Sequence, residues 1–166
     1  MSGELPLQCH IVHTLPYIAT SLSASDQLET VFPDQPSWTV EDSIRLAELL
    51  AQHGVDVLDV SSGGNHPQQT LPLKGKEAYH ADYSGPIKTA LGGRLVVGTV
   101  GGITTGKTAQ AVLDANEADV VFVGRQFQRN PGSVWAFAEE LGVAITVANQ
   151  ISWGFFGRGI VKKQRK

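Results

Sequence analysis

The chain has a single cysteine, Cys9, among 166 residues. A disulfide framework is therefore excluded, and a reducing setting such as the cytoplasm is expected. Charge is also sparse at 17% of residues, with a formal net value of −3. Such a balance sets up no field that would gather a polyanion, so nucleic acid is not an expected partner. No apolar run approaches the roughly 20 residues of a membrane span, so a membrane is not expected either. Residues 5–24 are mildly apolar, but His10, His13 and Pro16 interrupt them and no basic stretch precedes them, so they do not read as a signal peptide. The histidines fall at no metal-ligand spacing and a lone cysteine cannot complete a site, so no metal is expected. The last nine residues carry Arg158, Lys162, Lys163, Arg165 and Lys166 and read as a solvated, frayed tail.

What remains is the composition of one globular domain, 42% apolar and long enough to bury a core. Residues 55–60 (VDVLDV), 95–100 (LVVGTV) and 119–123 (DVVFV) are short, β-branched and nearly all apolar. Such runs suit strands of a parallel sheet buried on both faces. An earlier strand is expected at residues 17–23.

Between these runs lie helical stretches. Thr39 and Asp42 are spaced for a capping box, Ile44, Ala47 and Leu50 form an apolar stripe, and His53-Gly54 ends it. Further helices are expected at residues 77–91, 105–115 and 131–141, the last turning Val134, Phe137, Ala138 and Leu141 to the sheet. Residues 27–37 and 61–76 read as loops, the second at a strand's C-terminal end, where α/β proteins bind ligands. The alternation fits either an open doubly wound sheet or half of a (β/α)8 barrel.

Residues 101–108 read GGITTGKT, matching the P-loop pattern G-x-x-x-x-G-K-T. A triphosphatase also needs an acid at a neighbouring strand end to hold magnesium. The next strand instead ends in Gly124-Arg125, with its acid, Asp119, at the opposite end, and Asp59 sits inside an earlier strand. Gly106-Lys107 falls where a helix would begin. The competing reading joins two adjacent strand ends, Gly101-Gly102 and Gly124-Arg125, into one phosphate site of backbone N–H groups and a guanidinium. A plainer possibility is that Arg125 pairs with a nearby acid.

Four blocks, residues 38–47, 55–65, 97–106 and 118–131, together resemble the C-terminal half of the old yellow enzyme family, nearest its NADPH dehydrogenase or ene-reductase branch. The likeness runs from about residue 21 to 157. It implies a partial (β/α)8 barrel of about four βα units, a single domain over residues 1–166 whose first 20 residues diverge. It further implies an FMN flavoprotein that takes hydride from NAD(P)H and reduces activated alkenes. Carried over by position, Gly124 and Arg125 correspond to the FMN-phosphate pair. Gly101 and Gly102 line the same pocket, and Ser62 and Gly63, after Ser61, lie at the preceding strand end.

The sequence also departs from that family. Its histidine/asparagine pair, proton-donating tyrosine and flavin-edge residues have no counterpart here, so no catalytic residue is assigned. The family's Arg-(Ile/Val)-Ser-Ala-Ser-Asp appears as SLSASD at residues 21–26, with Ser21 replacing the arginine that contacts the flavin ring. His66 and His80 could approach a ligand from the loop, although a surface or structural role suits both. Tyr79 could pack or touch substrate. A half barrel leaves sheet edges and an apolar face open, so self-association or a partner is expected.

Overall fold

The computed structural model describes residues 9–14, 17–28, 31–64, 66–69 and 75–156. The expected basic tail and Asn65 lie outside them. Five strands form one sheet: β1 (Cys9–Thr14), β2 (Tyr17–Ser23), β3 (Val57–Ser61), β4 (Val96–Val100) and β5 (Val120–Phe122), in that spatial order. Strands β2 to β5 run parallel, while β1 returns antiparallel against β2. The four parallel strands follow the expected runs. The antiparallel β1 lies within the segment that the sequence reading left without structure.

Helix α1 (Val40–Gln52) starts with the expected capping box. The Thr39 side chain accepts the Asp42 N–H, and the Asp42 carboxylate accepts the Thr39 N–H. His53 is the C-cap and Gly54 follows at φ +82°. Helix α2 (Ala81–Leu91) begins four residues later than the sequence pattern predicts. The reason is local, because Ala78 adopts φ +46°, which a helix cannot include. Helix α3 (Gly106–Asp114) is capped by the Thr105 hydroxyl, which accepts the Thr108 N–H. A five-residue helix, α4 (Arg125–Arg129), follows β5 directly and was not anticipated. Helix α5 (Ser133–Leu141) ends at Gly142 in the left-handed region, and α6 (Ser152–Phe156) closes the described chain.

Parallel registry aligns side chains across the sheet. Leu22, Val60, Thr99 and Val121 share a row and one face. Against that face pack Ala47 of α1 and Ile87 and Leu91 of α2, joining Leu22, Leu58, Val60 and Val97 in the main core. Fully burying each leucine or isoleucine contributes roughly 1.5–3 kcal/mol. A second cluster joins Ala109 and Val112 of α3 to Ala81, Ile103 and Ala118, with Val121 against it.

One expectation fails at α5. Val134 is 51% exposed, and the helix lies on α3 instead of the sheet. Ser133 and Ala138 are its buried positions.

The opposite sheet face has no helix over it among the described residues. Its rows are Ala19–Val57–Val96 and Ser21–Asp59–Gly98–Val120, with Phe122 beside Val100. Val96 and Phe122 are about two-fifths exposed, at 39% and 40%. Sequential order with every crossover helix on one face has no reversal point, so the sheet is not doubly wound.

Candidate functional site

The C-terminal ends of β4 and β5 open onto a cleft of about 510 Å³. Its walls are the turn after β4 (Gly101, Gly102), Gly124 after β5 with Arg125 at the start of α4, and the segment leading into α2 (Tyr79, His80). Four of the six expected site residues therefore share one cleft. Ser62 and Gly63 are not among its lining residues, but Ser62 is tied to it through His80.

Gly101 and Gly102 adopt φ values of +103° and +70°, where glycine carries no steric penalty. Their missing side chains also make room for the chain itself. A Cβ on Gly101 would lie 2.5 Å from the Tyr79 ring, and one on Gly102 would lie 3.0 Å from the Lys76 carbonyl. Gly63, at φ +86°, shares the left-handed conformation. Gly124 differs, with negative φ and nothing within 4 Å of where a Cβ would stand.

Arg125 is exposed and donates from Nη2 to the Tyr79 hydroxyl at 3.0 Å. No carboxylate among the described residues pairs with it, so the plainer possibility of an acid partner is not what the geometry contains. Arg129, one helical turn further along α4, and Lys76 also line the cleft. Lys76 is paired with Asp82. The sequence reading missed Arg129, although its spacing of four from Arg125 would place both on one face of a helix.

His80 is only 6% exposed and structural. Its Nε2 accepts the Ser62 N–H at 3.1 Å and its Nδ1 bonds the Val100 carbonyl at 2.8 Å. Burial pushes the imidazole below its ordinary pKa, outweighing the Val100 carbonyl's preference for a protonated Nδ1. His66 instead stacks edge-on with Phe32, 5.3 Å between centroids, outside the cleft lining.

The P-loop pattern is taken apart by its own contacts. Gly106 N–H donates to the Glu140 carboxylate at 2.7 Å, and its Cα faces the Phe137 backbone so closely that a Cβ would stand 2.8 Å from that carbonyl. The Thr108 hydroxyl donates to Glu77 at 2.6 Å. Lys107 is exposed and does not line the cleft.

The candidate magnesium acids are placed no better. Asp119 sits at the far end of β5, where partial burial raises its pKa but the Val97 N–H and Lys88 ammonium hold it below the usual range. Asp59 lies mid-strand on the open face. Burial raises its pKa against the lowering effect of the Ser21 hydroxyl, which donates at 3.0 Å. Among the described residues no His, Cys, Asp and Glu group is arranged to hold a metal, and no helix is long and apolar enough to cross a membrane.

No family model matches the chain. An NADH:flavin oxidoreductase of Gibberella zeae is 47% identical over 163 residues, covering 95% of this chain and 37% of that protein. The chain spans well under half the length of that relative. Along nearly all of its length, it is thus a relative of part of an NADH:flavin oxidoreductase.

Proposed function

We propose that the chain is part of an FMN-binding, NAD(P)H-dependent oxidoreductase of the old yellow enzyme type, and that the cleft holds the cofactor's phosphate. The observation that carries the phosphate reading is Arg125, a guanidinium with no acid partner among the described residues, beside a glycine turn. With one hydrogen bond made, to Tyr79, its planar fork retains donors for a phosphate. Gly124 leaves the backbone approach open on the same side. The name of the relative supports a flavin over other phosphate esters.

When bound, FMN would supply the hydride-transfer chemistry. The chain's own residues bind and orient it: Gly101, Gly102, Gly124 and Arg125 at the phosphate, and Ser62 and Gly63 at the neighbouring strand end. No catalytic residue is assigned. An activated alkene as substrate and NADH or NADPH as reductant belong to the same reading. So does the fold assignment, a C-terminal segment of a (β/α)8 barrel. Sequential strand order and helices on a single face favour it. Its open inner face would be covered by a second copy or a partner chain.

The test is a spectrum of the purified chain, followed by separate titrations with FMN, riboflavin and magnesium-ATP. Yellow protein that saturates with FMN and bleaches with NADPH supports the whole reading. Binding without bleaching leaves a phosphate- or flavin-binding module. Magnesium-dependent ATP binding with no flavin affinity overturns it. Arg125→Ala is expected to weaken FMN binding by about 1.5–3 kcal/mol while leaving riboflavin unchanged.

A further inference from the structure

The β3–β4 ladder stops one rung early. The Val96 N–H bonds the Asp56 carbonyl, which fixes the phase of this parallel pair. Such bonds recur at every second residue of each strand. Beyond the last paired residues, Val60 and Thr99, the next rung would join the Ser62 N–H to the Val100 carbonyl. The His80 ring stands between those two groups and bonds both.

A backbone N–H can only donate, so Nε2 must offer its lone pair to Ser62. The ring's single proton is then on Nδ1, donated to Val100. An imidazole thus spaces the two strand ends immediately before the Gly101-Gly102 turn. The same ring meets Tyr79 edge-on, 4.5 Å between centroids. Tyr79 in turn packs over Gly101 and accepts the Arg125 hydrogen bond.

We propose that His80 is a positioning residue: its neutral imidazole replaces the last β3–β4 rung and, through Val100 and Tyr79, fixes the glycine turn and Arg125, so that protonating the ring dismantles the phosphate site. The proposal rests on reading the cleft as a phosphate site. An imidazolium would turn an Nε2–H toward the Ser62 N–H, donor against donor, and the rung would break.

Apart from the Val100 carbonyl, which the neutral ring already bonds, the surroundings give the charged ring no counterion among the described residues. Facing it are Tyr79, Tyr83 at 6.2 Å between centroids, Ser62 at the end of β3 and Val100 of β4. Gln27 backs this shell by bonding Ser62 and Tyr83. Among the described residues no carboxylate bonds the ring, and the cation linked to it is Arg125, through Tyr79. Burial lowers the imidazole's pKa, so the rung's contribution is complete above the ordinary histidine value and is lost as pH falls through it toward the lowered one.

The deciding experiment follows the full chain by nitrogen-15 NMR from pH 8 to 5 without ligand. Expected is a neutral Nδ1–H imidazole whose titration is matched by the Ser62 and Gly101 amide resonances. In His80→Gln, whose amide offers one acceptor and one donor but does not titrate, both resonances hold still. An Nε2–H tautomer, or Ser62 and Gly101 amides indifferent to the ring, overturns the proposal.

A second arm measures flavins at pH 7.5. His80→Leu is expected to bind FMN about tenfold more weakly with riboflavin unchanged, and His80→Gln to recover to within about threefold. If FMN binds the unaltered chain and His80→Leu equally, the positioning role is overturned. If the unaltered chain binds no FMN, the cleft reading fails instead, and the co-titration still decides whether His80 holds the turn.

Discussion

Gly101 answers to two constraints at once: a backbone conformation that side chains rarely adopt, and a tyrosine ring where its own Cβ would be. Gly101→Ala is expected to destabilise the fold by about 1–3 kcal/mol from the backbone conformation alone. Adding Tyr79→Ala should recover the ring clash but not that remainder. Urea unfolding of the three proteins checks this, and a Gly101→Ala variant as stable as the parent would refute it. At this scale the sequence disclosed where the glycines matter but not why. Read alone, Gly101-Gly102 suggested open access for a phosphate, whereas Tyr79 and the Lys76–Ala78 backbone occupy the space beside them. A structural role suited His80 from the sequence, but which one was not legible, because it depends on two strand ends that only the folded sheet brings within reach of one ring.

Elements whose cause is local were readable. The capping box at Thr39, the β-branched runs and the Gly142 terminator each act within a few residues, and each stands where the pattern put it. Short or tertiary features were not. Helix α4 is five residues long, too brief to establish a periodicity, and α5 faces α3 for reasons that lie in Gly106.

That glycine separates the two meanings of GGITTGKT. Gly106→Ala should cost about 1–3 kcal/mol in unfolding experiments by forcing α3 and α5 apart. Lys107→Ala should change neither stability nor the affinity for any phosphate ligand. A large loss of phosphate affinity in Lys107→Ala would restore the P-loop reading. The helix start at Gly106-Lys107 was legible, but a pattern ending in Gly-Lys-Thr says nothing about which of its residues face a second helix or a carboxylate.

Across the whole molecule, the covered and uncovered faces of the sheet differ most. The helix side buries Leu22, Leu58 and Val97 completely, while Val96 and Val120 on the other side remain more than a third exposed. Apolar surface of this kind favours association. In sedimentation experiments the chain is expected to show concentration-dependent mass, and the double variant Val96→Glu, Val120→Glu to remain monomeric with unchanged helical circular dichroism. A parent chain that stays monomeric throughout would count against a covered inner face. The four parallel strands were legible because buried parallel strands need continuous apolar runs, whereas the antiparallel β1 carries no such run and was not. Which face stays open was not, since those runs are apolar on both sides.

The antiparallel β1 has a consequence for how such a sheet could become a ring. Closing a parallel barrel requires both outer strands, β2 and β5, to accept parallel neighbours. At β5 that border is free among the described strands, but β1 already occupies the hydrogen-bonding border of β2 in the opposite direction. A rotational dimer joined through two β5 borders would pair them antiparallel, so it could not supply the missing direction. Any ring built on this sheet must first evict β1, which makes the hairpin a stopper at one end and leaves growth possible only from the other.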